Sequence, residues 1–194
     1  MTTLLADVLD AVDEVFAAGS PRTWPAPLPV GQAPADEEYS RLLDPAKYET
    51  IQQRCRAWIT ALCDAGVATT RSAPGELEHL GHVETVELVP TAPGAVAAFV
   101  HFTGDHLPGV VLALGTPTAT ITVIPPCGCD ACDDGSEPLL EEVDNVFTSV
   151  VLGEAAVEHA DRSRRVSLIG GGSGSSSDGD LIQGRWEGEP WLAP

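Results

Sequence analysis

Four short runs between residues 83 and 124 constrain the fold more than any other feature of the sequence. They cover 83–89, 95–103, 110–114 and 118–124, and each is apolar or alternates apolar with polar side chains. This period of two residues is typical of β-strands. The connections at 90–94, 104–109 and 115–117 are too short for a crossover helix, so neighbouring runs must pair antiparallel. The sequence therefore predicts a four-stranded antiparallel meander.

Three further segments show the three- and four-residue spacing of apolar side chains that is typical of amphipathic helices. They cover 3–17, 45–65 and 138–152. Asp44 supplies an N-cap to the second helix and Ser136 to the third. A weaker helix at 155–161 and a short strand at 165–169 follow. We therefore predict an α+β fold in which two or three helices pack against the meander.

Proline and glycine content divides the chain into three predicted parts. Residues 1–19 form an N-terminal helix, and residues 20–38, with five prolines, form an extended Pro-rich arm. We expect Trp24 and Val30 to dock this arm on the body of the protein. Residues 39–194 form a single α+β domain with a flexible Gly/Ser loop at 170–180.

The chain is strongly acidic, with 29 Asp and Glu against 10 Lys and Arg and a formal net charge of −19. Such a surface repels nucleic acids and anionic lipids, and it favours a cation or a basic protein partner. The alternative explanation is that the acidic surface only keeps the protein soluble. On the third predicted helix we expect Glu141, Glu142 and Asp144 to form a solvated face. Since we find neither a signal peptide nor a bilayer-length apolar stretch, we expect no membrane association and a cytoplasmic location.

A cysteine cluster follows the last predicted strand directly. Cys127, Cys129 and Cys132 lie within six positions, in a loop that leads into the third helix. In a reducing compartment, clustered thiols are typical of metal ligands or free thiols rather than disulfides. We expect these three residues to bind Zn²⁺ and to clamp the sheet to the helix. Two alternatives remain: the thiols only help the loop to pack, or Cys132 forms a disulfide with Cys127 or Cys129.

Three cysteines leave a tetrahedral zinc site one ligand short, and no His or Cys follows at zinc-finger spacing. The fourth ligand is water or a side chain from the loop or the strand ends. The protein candidates are Asp130, Asp133, Asp134, His101 and His106. The remaining two cysteines, Cys55 and Cys63, lie on the apolar face of the second helix about 12 Å apart. We expect them to be buried small hydrophobes.

A catalytic alternative comes from two fragments that are similar to the motifs of zinc nucleobase deaminases. His82 and Glu84 match an H-x-E motif, and Pro126 with Cys127 begins a partial match to P-C-x-x-C. However, Pro126 precedes a C-x-C spacing, and His82 and Glu84 fall in a run that predicts a strand rather than a helix start. We find no nucleophile motif of the elbow kind either. An enzyme is therefore the less favoured prediction.

Motifs at 38–41, 44–48, 108–112 and above all 126–133 carry a family resemblance. In these motifs the chain resembles a family of uncharacterised actinobacterial proteins built around the same cysteine block. The resemblance covers roughly residues 36–152 and leaves the N-terminal helix, the Pro-rich arm and the Gly/Ser loop outside. It implies a small cytoplasmic α+β protein with no assigned activity.

Taken together, these patterns predict a non-enzymatic binding or interaction protein with a structural zinc site at Cys127, Cys129 and Cys132. The first alternative is a zinc-dependent hydrolase or deaminase-like enzyme with a metal-activated water at the open fourth position. The second is an acidic, immunity-type inhibitor of a basic protein. The sequence assigns no catalytic or organic-cofactor residue.

Overall fold

The computed structural model describes residues 3–29, 31–77, 81–104, 106–176 and 181–192, without the side chains of 73–77, 81, 82 and 176. Over this part the fold is α+β, as predicted, with three α-helices and two antiparallel sheets. The helices are α1 (Leu5–Ala18), α2 (Glu49–Asp64) and α3 (Ser136–Val151). Short 3₁₀ helices cover Asp36–Ser40, Pro45–Tyr48 and Asp130–Cys132. Within the described ranges, no helix combines the length and the hydrophobicity needed to cross a bilayer.

The first sheet is an antiparallel meander with the strand order β1-β2-β3-β4-β5. Its strands are β1 (Ala68–Leu77), β2 (Gly81–Pro90), β3 (Ala98–Thr103), β4 (Gly109–Leu114) and β5 (Ala119–Ile124). The predicted meander is confirmed, but it contains one more strand, β1, at its edge. An edge strand needs no continuous apolar pattern. The sequence pattern did not predict β1 because this strand begins with a polar run at 69–72.

The second sheet has the order β8-β7-β6-β9 and follows α3. Its strands are β6 (Ala156–Ala160), β7 (Ser163–Leu168), β8 (Gly171–Ser176) and β9 (Gly184–Trp186). Two predictions are wrong here, because 155–161 forms β6 instead of a helix and the Gly/Ser run contains β8. β6 lies between β7 and β9, so pairing on both sides decides its conformation. β8 pairs with β7 through backbone groups, which glycine also provides.

The core lies between the helices and one face of the first sheet. α2 and α3 pack on this sheet, α1 packs on α2, and Val8 and Val12 of α1 are fully buried. Trp58 of α2 stacks on Phe147 of α3 with ring centroids 5.2 Å apart. Cys55 is fully buried in the same core, as predicted, whereas Cys63 is half-buried. The N-terminal helix therefore shares a core with the elements that follow it.

Ion pairs around the buried guanidinium group of Arg54 connect the three helices. Arg54 of α2 is 7% exposed and donates hydrogen bonds of 2.8 Å to both carboxylate oxygens of Asp144 on α3. It also donates a 2.7 Å bond to Asp13 of α1. Glu142 accepts a 2.7 Å bond from Thr122 of β5. The prediction of a fully solvated acidic face is therefore wrong for Asp144 and Glu142, because polar groups of the neighbouring elements reach over to both carboxylates.

Candidate metal centre

The cysteine cluster lies in the loop that connects β5 to α3. After β5 the chain passes Cys127 and Gly128 and then forms the 3₁₀ turn Asp130–Cys132. A Cβ atom built on Gly128 would lie 2.6 Å from Cδ1 of Leu107, which belongs to the β3–β4 connection. A larger residue at this position would therefore displace Leu107. The loop is in this way packed on the end of the meander.

The structure brings the three predicted ligands together. The Sγ atoms of Cys127, Cys129 and Cys132 all lie within 4.8 Å of one another, and the first two are 3.2 Å apart. Sulfurs on one tetrahedral zinc ion, at about 2.3 Å from the metal, are about 3.8 Å from each other. Cys127 and Cys132 are exposed, Cys129 is half-buried, and all five cysteines of the chain are free of disulfides. The cluster could therefore hold a metal ion.

Crowding of the sulfurs separates the pKa values of two of these thiols. The backbone N–H of Cys129, followed by the Cys129 thiol, lowers the pKa of Cys127 by hydrogen bonding to its sulfur. The neighbouring thiols of Cys129 and Cys127 raise the pKa of Cys132 to about 12. Hydrogen bonds with these two sulfurs are the largest cause, burial is the next, and repulsion between sulfur charges adds to them. A divalent cation among the three sulfurs would reverse this repulsion and favour the ionised forms.

Asp130 fixes one side of the cysteine loop. Its Oδ2 accepts a 2.7 Å hydrogen bond from Nε of Arg41, and its Oδ1 accepts one of 3.2 Å from the backbone N–H of Leu43. The backbone N–H of Asp130 donates in turn to the carbonyl of Arg41 at 2.8 Å. The hydrogen bond from Arg41 lowers the pKa of Asp130. This candidate fourth ligand therefore holds the loop in place and is not part of the cysteine cluster.

Asp133 fixes the other side of the loop in a buried position. Its Oδ2 accepts a 2.5 Å hydrogen bond from Nζ of Lys47, and its Oδ1 accepts bonds from Nε1 of Trp24 at 2.8 Å and from the backbone N–H of Gly135 at 2.9 Å. Burial alone would raise the pKa of Asp133, but these three donors offset it and the pKa is lowered. Asp133, like Asp130, is engaged with the protein.

The Pro-rich arm reaches the loop through Trp24. The backbone N–H of Trp24 donates to Oγ of Ser136 at 3.1 Å, and the backbone N–H of Ser136 donates to the Trp24 carbonyl at 3.0 Å. The indole also meets the ring of Tyr48 edge-on, with centroids 5.6 Å apart. Trp24 therefore docks the arm, as predicted, whereas Val30 lies outside the described residues.

The histidines considered as fourth ligands lie elsewhere. His101 of β3 is buried, its Nδ1 is 2.8 Å from Oγ1 of Thr85, and burial lowers its pKa. His106 is exposed in the β3–β4 connection, and Asp134 is exposed beside the cluster. Among the described residues, the group that could hold a metal at this loop contains only the three cysteines.

The residues that the structure describes do not form the deaminase-like arrangement. Glu84 lies on β2, where both carboxylate oxygens accept hydrogen bonds from Arg56 at 3.0 and 2.7 Å. β2 is three strand intervals away from β5, which is about 14 Å at ordinary strand spacing. His82 is also on β2, and its side chain lies outside the described residues. The carboxylate that would serve as general base is therefore not beside the cysteines.

A cleft of about 480 Å³ lies between Pro45, α2 and the β3–β4 connection. Two of its long polar side chains, Gln52 and Arg56, are already engaged. The amide of Gln52 donates to the carbonyls of Thr103 at 2.7 Å and Gly109 at 3.1 Å, and Arg56 is paired with Glu84. The titratable cluster at the cysteine loop is therefore a better candidate site than this cleft.

Arg41 and Lys47, the two cations that hold the loop, were not singled out from the sequence. Their carboxylate partners are 89 and 86 positions away along the chain. The available signal was that both lie in motifs, 38–41 and 44–48, that carry the family resemblance together with the cysteine block. Motifs that occur together and are far apart in sequence are often in contact in the fold.

Comparison with known proteins gives one match. A family model described as "Family of unknown function (DUF6226)" matches residues 12–190. This range includes the second half of α1, the whole Pro-rich arm and the Gly/Ser run, which the resemblance over residues 36–152 had left outside. No curated protein and no solved structure matches the chain.

Proposed function

The chain belongs to this family of unknown function, DUF6226, and on that premise we propose that it is a non-enzymatic binding protein with a structural zinc site at Cys127, Cys129 and Cys132. The observation that carries the proposal is the convergence of the three Sγ atoms within 4.8 Å. Thiolates are typical ligands of structural zinc. The ion would fix the loop between β5 and α3.

The surroundings of the cluster support a preorganised site. Asp130 and Asp133 hold the loop from both sides through Arg41 and Lys47, so little conformational entropy remains to be lost when a metal binds. Residues that orient the ligands of a metal in this way are a regular part of metal sites. A zinc–thiolate site requires reduced cysteines, and a cytoplasmic location is therefore part of the proposal.

The zinc-enzyme alternative receives less support from the geometry. A zinc hydrolase needs a general base beside a metal-activated water. Asp130 and Asp133 are engaged by cations of the protein, and Glu84 is bound to Arg56 on a different strand. A structural ion in a binding protein agrees better with these contacts.

A basic protein is the partner that we propose. The supporting observation is the net charge of −19, which favours association with a cationic surface. Such binding should weaken as ionic strength rises, because salt screens the attraction between exposed charges. An immunity-type inhibitor is the second candidate function on the same observation.

Zinc binding can be tested by titrating the reduced protein with zinc against a chromophoric chelator. We expect one ion per chain, and no binding after the combined change Cys127→Ser, Cys129→Ser and Cys132→Ser. Cys63→Ser is the matched control, because this half-buried cysteine is outside the cluster, and it should bind one ion. Free zinc at 100 times the dissociation constant should add about 2.7 kcal/mol to the free energy of unfolding.

A thiol count in the native protein distinguishes zinc binding from the two alternatives, which are free thiols that only help the loop to pack and a disulfide. Zinc should protect three thiols from a chromogenic disulfide reagent in the wild-type chain and none in the serine variant. If the three cluster thiols remained reactive at saturating zinc, the proposal would be disproved. A disulfide at the cluster that survives in reduced cell extract would disprove it as well.

A further inference from the structure

A small pocket of about 190 Å³ lies directly beside the cysteine cluster. It is bounded by the loop, by Tyr48 and by the first turn of α3, and both Cys127 and Cys132 are among its lining residues. For comparison, a dry cavity of about 150 Å³ can hold a benzene molecule. The pocket therefore has room for an organic molecule of about six heavy atoms.

The three cysteines do not complete a tetrahedral shell for zinc, which takes four ligands. The carboxylates nearest to the cluster in sequence, Asp130 and Asp133, are engaged by Arg41, Lys47 and Trp24. No further His, Asp or Glu of the described residues joins the group that could hold the metal. The fourth coordination position is therefore open to a molecule from outside the chain.

We propose that the fourth coordination position of the metal opens into this pocket and takes a small thiol that is uncharged or positively charged. The inference rests on the proposed zinc site. On binding, a metal–sulfur bond forms, a coordinated water molecule leaves, and the thiol proton passes to solvent. No oxidation or reduction is involved.

The charge of the surroundings selects against an anionic ligand. Zinc with three thiolates carries one net negative charge, and the carboxylates of Asp134 and Glu142 also line the pocket. The nearby cation Lys47 is already paired with Asp133. Because like charges repel, a carboxylate on the ligand should weaken its binding.

The lining of the pocket indicates which part of a ligand it would contact. Pro125, Pro126, Pro138 and Leu139 supply its apolar lining, and Tyr48, which is 1% exposed, forms part of its wall. Such a lining favours a short aliphatic chain next to the sulfur. Cysteamine and 2-mercaptoethanol fit this description, whereas 3-mercaptopropionate has the same two-carbon chain next to the sulfur but a negative charge.

The first experiment uses the full chain loaded with Co²⁺, which reports thiolate coordination by visible and near-ultraviolet absorption. We expect charge-transfer bands that disappear in the triple serine variant, and a change of the d–d bands on addition of cysteamine or 2-mercaptoethanol. These two thiols should saturate at concentrations at least tenfold lower than 3-mercaptopropionate. Gel filtration confirms that the metal stays on the protein.

The outcomes of the Co²⁺ experiment test the proposed metal site and the proposed thiol ligand separately. Without cysteine-dependent Co²⁺ bands, the proposed metal site fails and the inference fails with it. If the bands are present but no thiol changes them, or if all three thiols saturate at the same concentration, only the inference is overturned.

The second experiment fills the pocket. Leu139→Phe should keep the Co²⁺ bands but raise the half-saturating cysteamine concentration at least tenfold. Leu140→Phe is the matched control, because Leu140 is the next residue of α3 and does not line the pocket. Pro138→Tyr, at an exposed lining position, repeats the test should Leu139→Phe fail to fold. Wild-type thiol affinity in a folded lining variant would overturn the inference.

Discussion

At the scale of single residues, the two aspartates that follow Cys129 and Cys132 hold the cysteine loop in place. Asp130 pairs with Arg41, and Asp133 pairs with Lys47 and Trp24. If Asp133 turned toward a metal, the buried ammonium group of Lys47 would lose its carboxylate partner, which is costly. Positioning of the sulfurs, rather than direct coordination, is therefore the role that these contacts support.

Arg41→Gln should weaken zinc binding about tenfold, because loss of an orienting contact next to a metal ligand typically costs 10- to 100-fold in affinity. Chelator competition measures the change. Arg22→Gln is the control, since Arg22 forms an exposed ion pair with Asp44 instead of with an aspartate of the cysteine loop. Equal zinc affinity in the two variants would contradict the role of Arg41.

His101 should make the protein less stable in mild acid. Burial lowers its pKa in the folded state, so folded His101 stays neutral at a pH where the unfolded chain, with a pKa of about 6.5, already binds a proton. Its contribution to stability is therefore complete above about pH 6.5 and decreases as the pH falls toward the lowered pKa. Urea denaturation at several values between pH 7.5 and pH 5 measures this loss.

The variant His101→Gln should show a smaller loss of stability over the same pH range than the wild-type chain. His106→Gln should retain the wild-type pH dependence, because His106 is exposed in a turn. Identical pH slopes for the wild type and His101→Gln would show that other groups cause the acid sensitivity.

At the scale of elements, the Pro-rich arm and α3 meet at Gly135. The φ angle of Gly135 is +89°, a value that favours glycine, and a Cβ atom there would lie 2.7 Å from the backbone nitrogen of Ala26. The arm therefore passes directly over the residue that precedes α3. Docking of the arm and formation of the helix start depend on the same contact.

Gly135→Ala should destabilise the protein and loosen the arm. The backbone conformation of Gly135, with φ +89° and ψ 177°, is essentially restricted to glycine and costs about 1–3 kcal/mol for other residues. The collision with the arm backbone adds to this cost. Gly170→Ala is the matched control, since Gly170 has a φ of +81° with no atom within 4 Å of its built Cβ. Urea denaturation should show a larger loss for Gly135→Ala. Trypsin should also cleave faster after Arg22 in that variant only, and equal cleavage rates would contradict the predicted contact.

At the scale of the whole molecule, net charge opposes the folded state. The chain carries a formal charge of −19, so bringing its acids together costs free energy that salt can screen. Ion pairs such as Arg54 with Asp144 offset only part of this repulsion, because acids outnumber bases by 29 to 10. The protein should therefore be more stable at moderate than at low ionic strength.

Raising NaCl from 50 to 300 mM should increase the melting temperature of the metal-free protein. KCl should give the same increase, because screening depends on ionic strength and not on the identity of the ion. Differential scanning calorimetry measures the shift. A decrease in melting temperature would mean that screening of favourable ion pairs outweighs the relief of repulsion.

Local sequence determined the elements that have a clear period and the cluster that is close in sequence. The apolar or alternating runs of β2 to β5 and the apolar stripes of α1, α2 and α3 predicted these elements, since side-chain period follows directly from backbone geometry. The spacing of Cys127, Cys129 and Cys132 likewise places their sulfurs within reach of one another in a tight loop. These features need no knowledge of distant contacts.

Only the tertiary structure decided what these elements contact. The loop aspartates find partners 86 to 109 positions away, Asp144 turns to Arg54 of another helix, and β6 is a strand because β7 and β9 flank it. Pairing of this kind depends on which surfaces the fold brings together, and a sequence period carries no information about it. The pocket beside Cys127 and Cys132 depends on tertiary structure as well, because Tyr48, which is distant in sequence from the cysteine loop, forms part of its wall.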